Sequence, residues 1–188
     1  CGRLTGDEVT LSANDYRRKA RLLAIAVPCH VFVAPQMAQS MARLDYPYTK
    51  AIRFFGNAVS TFGRNELVRW AKSLNASHML WIDTDSMFPP RAAIDLVLTG
   101  KDFVGANFAL KDGSGQSAAW GLDGERLKPK GFGVEEVSTL GFGLTLTSMA
   151  VLDAVGDPWF KTVEGERGGP ADEYRFCEIA RAAGYPPH

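Results

Sequence analysis

The sequence is short of cysteine, carries no excess of charge of either sign and has no long apolar run. Its three cysteines among 188 residues form no Cys-x-x-Cys pair, which argues against a disulfide scaffold or a zinc ribbon. The 21 basic residues balance 21 acidic ones, so a strongly basic nucleic-acid-binding protein is not indicated. No apolar stretch approaches the ~18–20 residues of a membrane helix. We therefore predict a cytoplasmic protein with no transmembrane segment and no nucleic-acid partner.

Two common phosphate-binding loops are also missing. No Gly-x-x-x-x-Gly-Lys-Ser/Thr sequence is present, so a P-loop phosphotransferase is not supported. Pro28-Cys29-His30, which follows the first predicted strand, contains none of the glycines of a dinucleotide-binding turn. Cys29 and Cys177 have no histidine at a spacing typical of a cysteine nucleophile. The chemistry must therefore be sought in other side chains.

Short apolar runs alternate with helix-like segments along the first 110 residues. Predicted strands cover residues 22–27, 49–55, 78–82 and 103–110, and the segments between them place apolar residues at helical spacing. Strands that alternate with helices predict βαβ units and a mostly parallel central sheet flanked by helices. The predicted fold class is α/β, and one domain over residues 22–188 follows an N-terminal arm or helix.

The pattern changes after residue 110. Residues 111–133 carry six glycines and no clear period, which predicts a long loop, and such loops in compact domains are often functional. An alternating apolar and polar stretch follows at 134–139, then a glycine-containing turn at 140–144. Helices are predicted at 148–155 and 172–183.

The strongest chemical signal is Asp83-Thr84-Asp85 at the exit of the third predicted strand. Ligands of open α/β sheets bind at the carboxyl ends of strands, and two carboxylates on one turn can reach one Mg²⁺ or Mn²⁺ ion. A solvated turn that precedes a helix is the plain alternative. A haloacid-dehalogenase-like phosphatase is disfavoured because Met87 stands where that motif has Thr or Val. The match of residues 83–86 to a DNA-polymerase motif is discounted, since a neutral chain of this length cannot hold a polymerase.

The order and spacing of these segments resemble those of the GT-A fold glycosyltransferases, most closely the bacterial and phage proteins that carry Trp-Ile-Asp-Thr-Asp. The resemblance covers roughly residues 22 to 185. It rests on five segments in sequence: the first strand with Pro28-Cys29, Gly63-Arg64-Asn65, Leu80-Trp-Ile-Asp83-Thr-Asp85, Leu140-Gly-Phe-Gly143 and Asp172-Glu173-Tyr-Arg-Phe-Cys177.

The resemblance implies a donor half over about residues 22–110. There Asp83 and Asp85 match the metal-binding motif for Mn²⁺ or Mg²⁺, with Asp83 also on the donor side. Further donor-binding positions are implied for the end of the first strand, which lies against the nucleobase, and for an Arg-Asn pair near the diphosphate: Ala26, Val27, Pro28, Cys29, Arg64 and Asn65.

An acceptor half is implied over about residues 134–185. Inverting relatives carry Glu-Asp at the last helix with Asp as the general base, but here the order is reversed as Asp172-Glu173, which leaves the base open between them. Two acids in the first turn of a helix also suit the helix dipole with no catalytic role. The resemblance implies acceptor contacts for Gly141, Phe142, Gly143 and Trp159, and a third metal ligand at His188.

The sequence thus predicts a metal-dependent glycosyltransferase. Its donor would be a nucleotide-sugar, UDP- or GDP-linked, and its acceptor a glycan or another hydroxyl compound. Whether the reaction inverts or retains configuration is open. The alternatives are a non-catalytic nucleotide-sugar or glycan-binding module of the same fold and, further off, a phosphatase-like hydrolase that uses Asp83.

Overall fold

A computed structural model describes residues 22–29, 32–56, 60–110, 113–128, 133–161 and 171–188. The predicted arm or helix over residues 1–21 lies outside this set. The strands are β1 (Leu22–Cys29), β2 (Thr49–Gly56), β3 (His78–Ile82), β4 (Phe103–Gly105) and β5 (Leu144–Ser148). The helices are α1 (Pro35–Ala42), α2 (Ser60–Ser73), α3 (Ala92–Leu98), α4 (Met149–Val155) and α5 (Ala171–Ala182).

The five strands form one mixed sheet in the order β2-β1-β3-β5-β4. β1 pairs in parallel with β2 and β3, whereas β5 pairs antiparallel with both β3 and β4. The α/β class is confirmed, but the mostly parallel sheet needs correction at β5. The chain leaves β4 at the carboxyl edge and returns through residues 106–143, whose described part contains no helix. It therefore re-enters the sheet from that same edge, in the opposite direction.

Two sequence predictions differ from the structure around this loop. The fourth strand ends at Gly105 rather than residue 110, and the alternating stretch 134–139 forms only an isolated bridge between Thr139 and Trp120. The loop is nevertheless anchored, because the Trp120 indole N–H donates to the Tyr174 hydroxyl at 3.0 Å and Arg126 stacks over the Trp120 ring at 4.2 Å. Glycine content predicted the loop, whereas the bond that ties it to α5 joins residues 54 positions apart in sequence.

Both faces of the sheet are covered, which is why β1 and β3 read as continuous apolar runs. Ala24, Ala26 and Trp81 point towards α2 and α5, and Ile25 and Leu80 point towards α1 and α3. Alternate residues of each strand thus feed two separate cores. In the described part of the chain, no helix has the length and apolarity needed to cross a membrane.

Candidate functional site

The turn that carries the two aspartates leaves β3 at the carboxyl edge of the sheet. The chain runs from β1 to β2 on one side while β3 lies on the other, so this edge is a point where the strand order reverses and where ligands of α/β sheets bind. The Asp83 N–H donates to the Gly143 carbonyl at 3.2 Å, and the Ser86 N–H donates to the Asp83 carbonyl at 3.1 Å. These bonds fix the turn and leave Asp83 half-buried and Asp85 exposed.

A buried ion-pair cluster joins α2 to α5. Arg64 Nη1 donates to Asp172 Oδ2 at 2.6 Å, and its Nη2 donates to Glu173 Oε1. The second oxygen of Glu173, Oε2, accepts the Phe142 backbone N–H at 3.2 Å. The Arg64 guanidinium also lies over the Phe142 and Phe160 rings, at 5.7 and 5.4 Å from their centroids. One arginine thereby holds both acids of the last helix in fixed positions.

Electrostatic coupling brings Asp83 into this cluster. Burial raises the pKa of Glu173 from its ordinary value near 4.5 to about 7. The Arg64 charge opposes that shift, and the negative charges of Asp83 and Asp172 add to it. Burial acts to lower the pKa of Arg64, but Glu173, Asp172 and Asp83 together outweigh it and raise the pKa above its usual value. Two carboxylates are thus bonded to this guanidinium, and the charge of Asp83 acts on it as well.

Arg64 and Asn65 are adjacent in sequence but have different surroundings. Arg64 faces the two acids and donates hydrogen bonds to both of their carboxylates. Asn65 Nδ2 donates to the Phe160 carbonyl at 2.8 Å, and Asn65 Oδ1 accepts the Phe160 N–H at 3.0 Å. Both polar atoms of this buried amide are therefore engaged within the protein. Its role is to fix the segment after α4 against α2.

The other expected donor contacts divide along β1. Ala26 and Val27 have no exposed surface, so their side chains belong to the core rather than to a nucleobase site. Pro28 and Cys29, at the end of the same strand, are half-buried. Pairing of β1 with β3 ends at Ala26, so these last two residues extend past that pairing towards the crevice.

The expected acceptor-side aromatics lie in the core. Phe142 is 1% exposed and its ring meets those of Trp81, Phe103, Phe160 and Phe176. Trp159 is also buried, and its indole N–H donates to the Leu152 carbonyl at 2.7 Å. Neither ring presents a face to a sugar, because each is packed by the protein itself.

Gly141 and Gly143 make room for a side chain of the protein. A Cβ at either glycine would lie under 3.0 Å from Phe108 Cζ, at 2.9 Å for Gly141 and 2.8 Å for Gly143. The half-buried Phe108 ring therefore packs directly on this turn, where the sequence led us to expect a sugar. Phe108 carries no motif, and its contact with the turn could not be inferred from local pattern.

His188 does not join the two aspartates. Its backbone N–H donates to the Phe103 carbonyl at 3.1 Å, and its carbonyl accepts the Gly105 N–H at 2.9 Å. These bonds place it beside β4, with β4 and β5 between it and β3. Among the residues that the structure describes, no group of three or more His, Cys, Asp or Glu side chains could hold a metal ion. The expected three-ligand set of Asp83, Asp85 and His188 is therefore not assembled.

No family model and no curated protein matches the chain. Among solved structures, the chain is similar to A197 from STIV, with a TM-score of 0.59 and 13% sequence identity. The match covers 89% of this chain and 80% of A197. At this identity the comparison shows a shared fold over most of both chains.

Proposed function

We propose that the chain is a metal-dependent glycosyltransferase that moves a sugar from a nucleotide-sugar to an acceptor hydroxyl. The observation that carries the proposal is the Arg64-held acidic pair, Asp172 and Glu173, within electrostatic reach of Asp83 at the carboxyl edge of the sheet. The α/β fold, which the chain shares with A197 from STIV over most of its length, is consistent with this proposal, because ligands of such sheets bind at the carboxyl ends of strands. The sequence resemblance to GT-A enzymes supplies the reaction class.

Asp83 and Asp85 would bind the metal. Their carboxylate oxygens are the donors that Mg²⁺ and Mn²⁺ prefer, and Mg²⁺ sites commonly use one or two carboxylates with substrate phosphate and water. The bound ion would neutralise the charge of the departing diphosphate. The half-buried Asp83 would hold the metal from the protein side. The exposed Asp85 would hold it on the side from which the nucleotide-sugar enters.

The geometry favours Asp172 over Glu173 as the base. Both oxygens of Glu173 are engaged, by Arg64 and by the Phe142 N–H. The hydrogen bond that Asp172 accepts from Arg64 uses Oδ2, and we assign its other oxygen, Oδ1, to the acceptor hydroxyl. In a single displacement, that hydroxyl proton passes to Asp172 Oδ1 as the oxygen attacks the anomeric carbon. The bond from that carbon to the diphosphate oxygen breaks, and the diphosphate leaves with the electron pair.

Nucleotide binding tests the donor site. Thermal unfolding would be measured with UDP, GDP, CDP and dTDP, each with and without Mn²⁺, for the wild type and for Asp85→Asn. We expect one nucleotide to stabilise the wild type only with metal, by about 2.7 kcal/mol at 100 times its Kd. Asp85→Asn should lose this gain, whereas Asp102→Asn, an exposed aspartate beside β4, should keep it. Equal stabilisation of wild type and Asp85→Asn would contradict the assignment.

A binding module is the second candidate, because Arg64 occupies both acids and their order is reversed. Donor hydrolysis and sugar transfer by the wild type separate the two candidates. In the enzyme, Asp172→Asn should keep metal-dependent nucleotide binding and lose turnover by roughly 100-fold or more, the usual contribution of a general base. Nucleotide binding without any turnover by the wild type would favour the module.

A further inference from the structure

A cavity of about 680 Å³ lies at the β4 edge of the sheet, separate from the carboxylate cluster. Helix α3 forms one wall, and residues 133–141 form the other, with Val104 and Leu144 from the sheet between them. None of the five charged residues of the candidate site lines it. Its size falls within the ~300–1,000 Å³ of small-molecule sites.

The lining indicates what kind of molecule would fit. Most of it is apolar, with side chains such as Leu96, Leu127 and Val137. None of the described lining residues is lysine or arginine, whereas Asp95 and Glu135 contribute two acids. Although Arg91 pairs with Asp95, an anionic ligand would face two acids and no basic residue among the described lining residues. The cavity therefore suits an apolar molecule that is neutral or cationic.

His188 adds a hydrogen-bond acceptor to this lining. Its Nδ1 lies 2.9 Å from the Pro186 carbonyl oxygen, which can only accept, so in the neutral ring Nδ1 carries the proton and Nε2 is the acceptor. A hydroxyl group of a ligand would donate to Nε2, and an ammonium group would be attracted by the two acids of the lining. The polar part of the ligand is thus a hydrogen-bond donor.

One turn connects the cavity with the candidate site. Gly141 and Phe108 both line the cavity, and the Phe108 ring packs on Gly141 and Gly143. The residue between those glycines, Phe142, donates its N–H to Glu173. A molecule in the cavity would therefore press on the turn that holds one of the two acids.

We infer that this cavity binds the apolar part of an uncharged or cationic hydroxyl compound, with Phe108 as the wall between it and the carboxylates. That this compound is the acceptor rests on the proposed function; its binding in the cavity does not. A nucleotide diphosphate is not the occupant, because the described lining offers it no basic group.

Ligand titrations followed by NMR would test the inference, with probes kept below their micelle concentrations. Octyl glucoside and octyltrimethylammonium should bind at least tenfold more tightly than methyl glucoside and octyl sulfate. Ala92→Leu places a larger side chain in the cavity wall and should lower the affinity for octyl glucoside at least tenfold. Ala42→Leu, the same change at the exposed end of α1, should leave the affinity unchanged.

A charge reversal provides a second test that does not depend on packing inside the cavity. Glu135→Lys should reduce the preference for octyltrimethylammonium over octyl sulfate at least tenfold, and Glu178→Lys on the exposed side of α5 should not change it. Equal binding of octyl and methyl glucoside, or unchanged affinities in both cavity variants, would overturn the inference. Alkyl binding that depends on Ala92 and Glu135 without any nucleotide binding would uphold the cavity and count against the proposed function.

Discussion

Arg64 is the residue on which the candidate site depends. Its guanidinium is buried, paired with Asp172 and Glu173, and close to two aromatic rings. Removal of one partner from a buried ion pair is costly, because it leaves an uncompensated charge in a region of low dielectric. The arginine therefore sets the position of both acids. Its positive charge also partly offsets the rise in the pKa of Glu173 that burial causes.

Glu173 should make stability depend on pH. Its pKa rises from near 4.5 when unfolded to about 7 in the fold, so between these values the folded protein holds a proton that the unfolded chain has released. The free energy of unfolding should fall as pH rises across this range, by up to about 1.4 kcal/mol per pH unit. Urea unfolding at several pH values would measure the slope.

The matched variants for this prediction lie on one helix. Glu173→Gln cannot titrate, so its stability should vary less with pH than that of the wild type between about 4.5 and 7. Glu178→Gln, at an exposed ion pair with Arg175, should follow the wild type. If the free energy of unfolding of Glu173→Gln fell with pH as steeply as that of the wild type, the Glu173 carboxyl would not be the source of the pH dependence.

Local pattern was enough to place some site residues and not others. The position of Asp83 and Asp85 follows from a buried strand that ends directly before them. The pairing of Arg64 with Asp172 spans 108 residues, and nothing in either local sequence signals it. The same limit applies to Asn65, whose partner, the Phe160 backbone, has no side-chain signature at all.

At the scale of elements, the 141–143 turn connects several parts of the fold. It accepts a hydrogen bond from the Asp83 N–H, donates one to Glu173 and supports the Phe108 ring. Neither Gly141 nor Gly143 has a positive φ, so these glycines are required for space rather than for backbone conformation. The sequence indicated close approach at this turn, but only the fold shows what approaches.

Gly143→Ala should destabilise the protein by about 1–3 kcal/mol, the usual cost of overpacking, because its Cβ would lie 2.8 Å from Phe108 Cζ. In a Phe108→Ala background the same change should cost less than about 0.5 kcal/mol, since neighbouring sites couple. The free energy of unfolding of the wild type, the two single variants and the double variant, measured by heat or urea, completes this double-mutant cycle. Gly56→Ala is the control, because the nearest atom to its Cβ in the described part of the chain is the Cys29 carbonyl oxygen, at an ordinary contact distance of 3.6 Å. An additive cycle would exclude Phe108 as the cause.

At the scale of the molecule, the two halves expected from the sequence share one sheet. β5, from the second half, lies between β3 and β4 of the first. Its Thr147 side chain also accepts the Trp81 indole N–H at 3.1 Å inside the core. The α/β class was predictable from alternating strands and helices. The insertion of β5 was not, because strand order depends on pairings between distant segments.

This insertion predicts that the first half does not fold alone. A fragment of residues 1–110 would lack the strand that joins β4 to the sheet and would expose one edge of β3. We expect it to show no cooperative urea transition, whereas residues 1–188 should unfold in one. Far-ultraviolet circular dichroism would follow both chains under the same conditions. A cooperative transition in the fragment would show that β1–β3 and their helices suffice.

The late arrival of β5 also affects synthesis on the ribosome. The end of β5 follows the end of β4 by about 40 residues, which takes roughly 2–8 s at usual elongation rates. During this interval the nascent chain already contains β3 and β4, but each lacks the neighbour that covers its edge. Unpaired apolar strands are the segments that chaperones and other nascent chains recognise. The nascent chain is therefore prone to aggregation during this interval. The risk ends when residues 144–148 emerge and pair with β3 and β4.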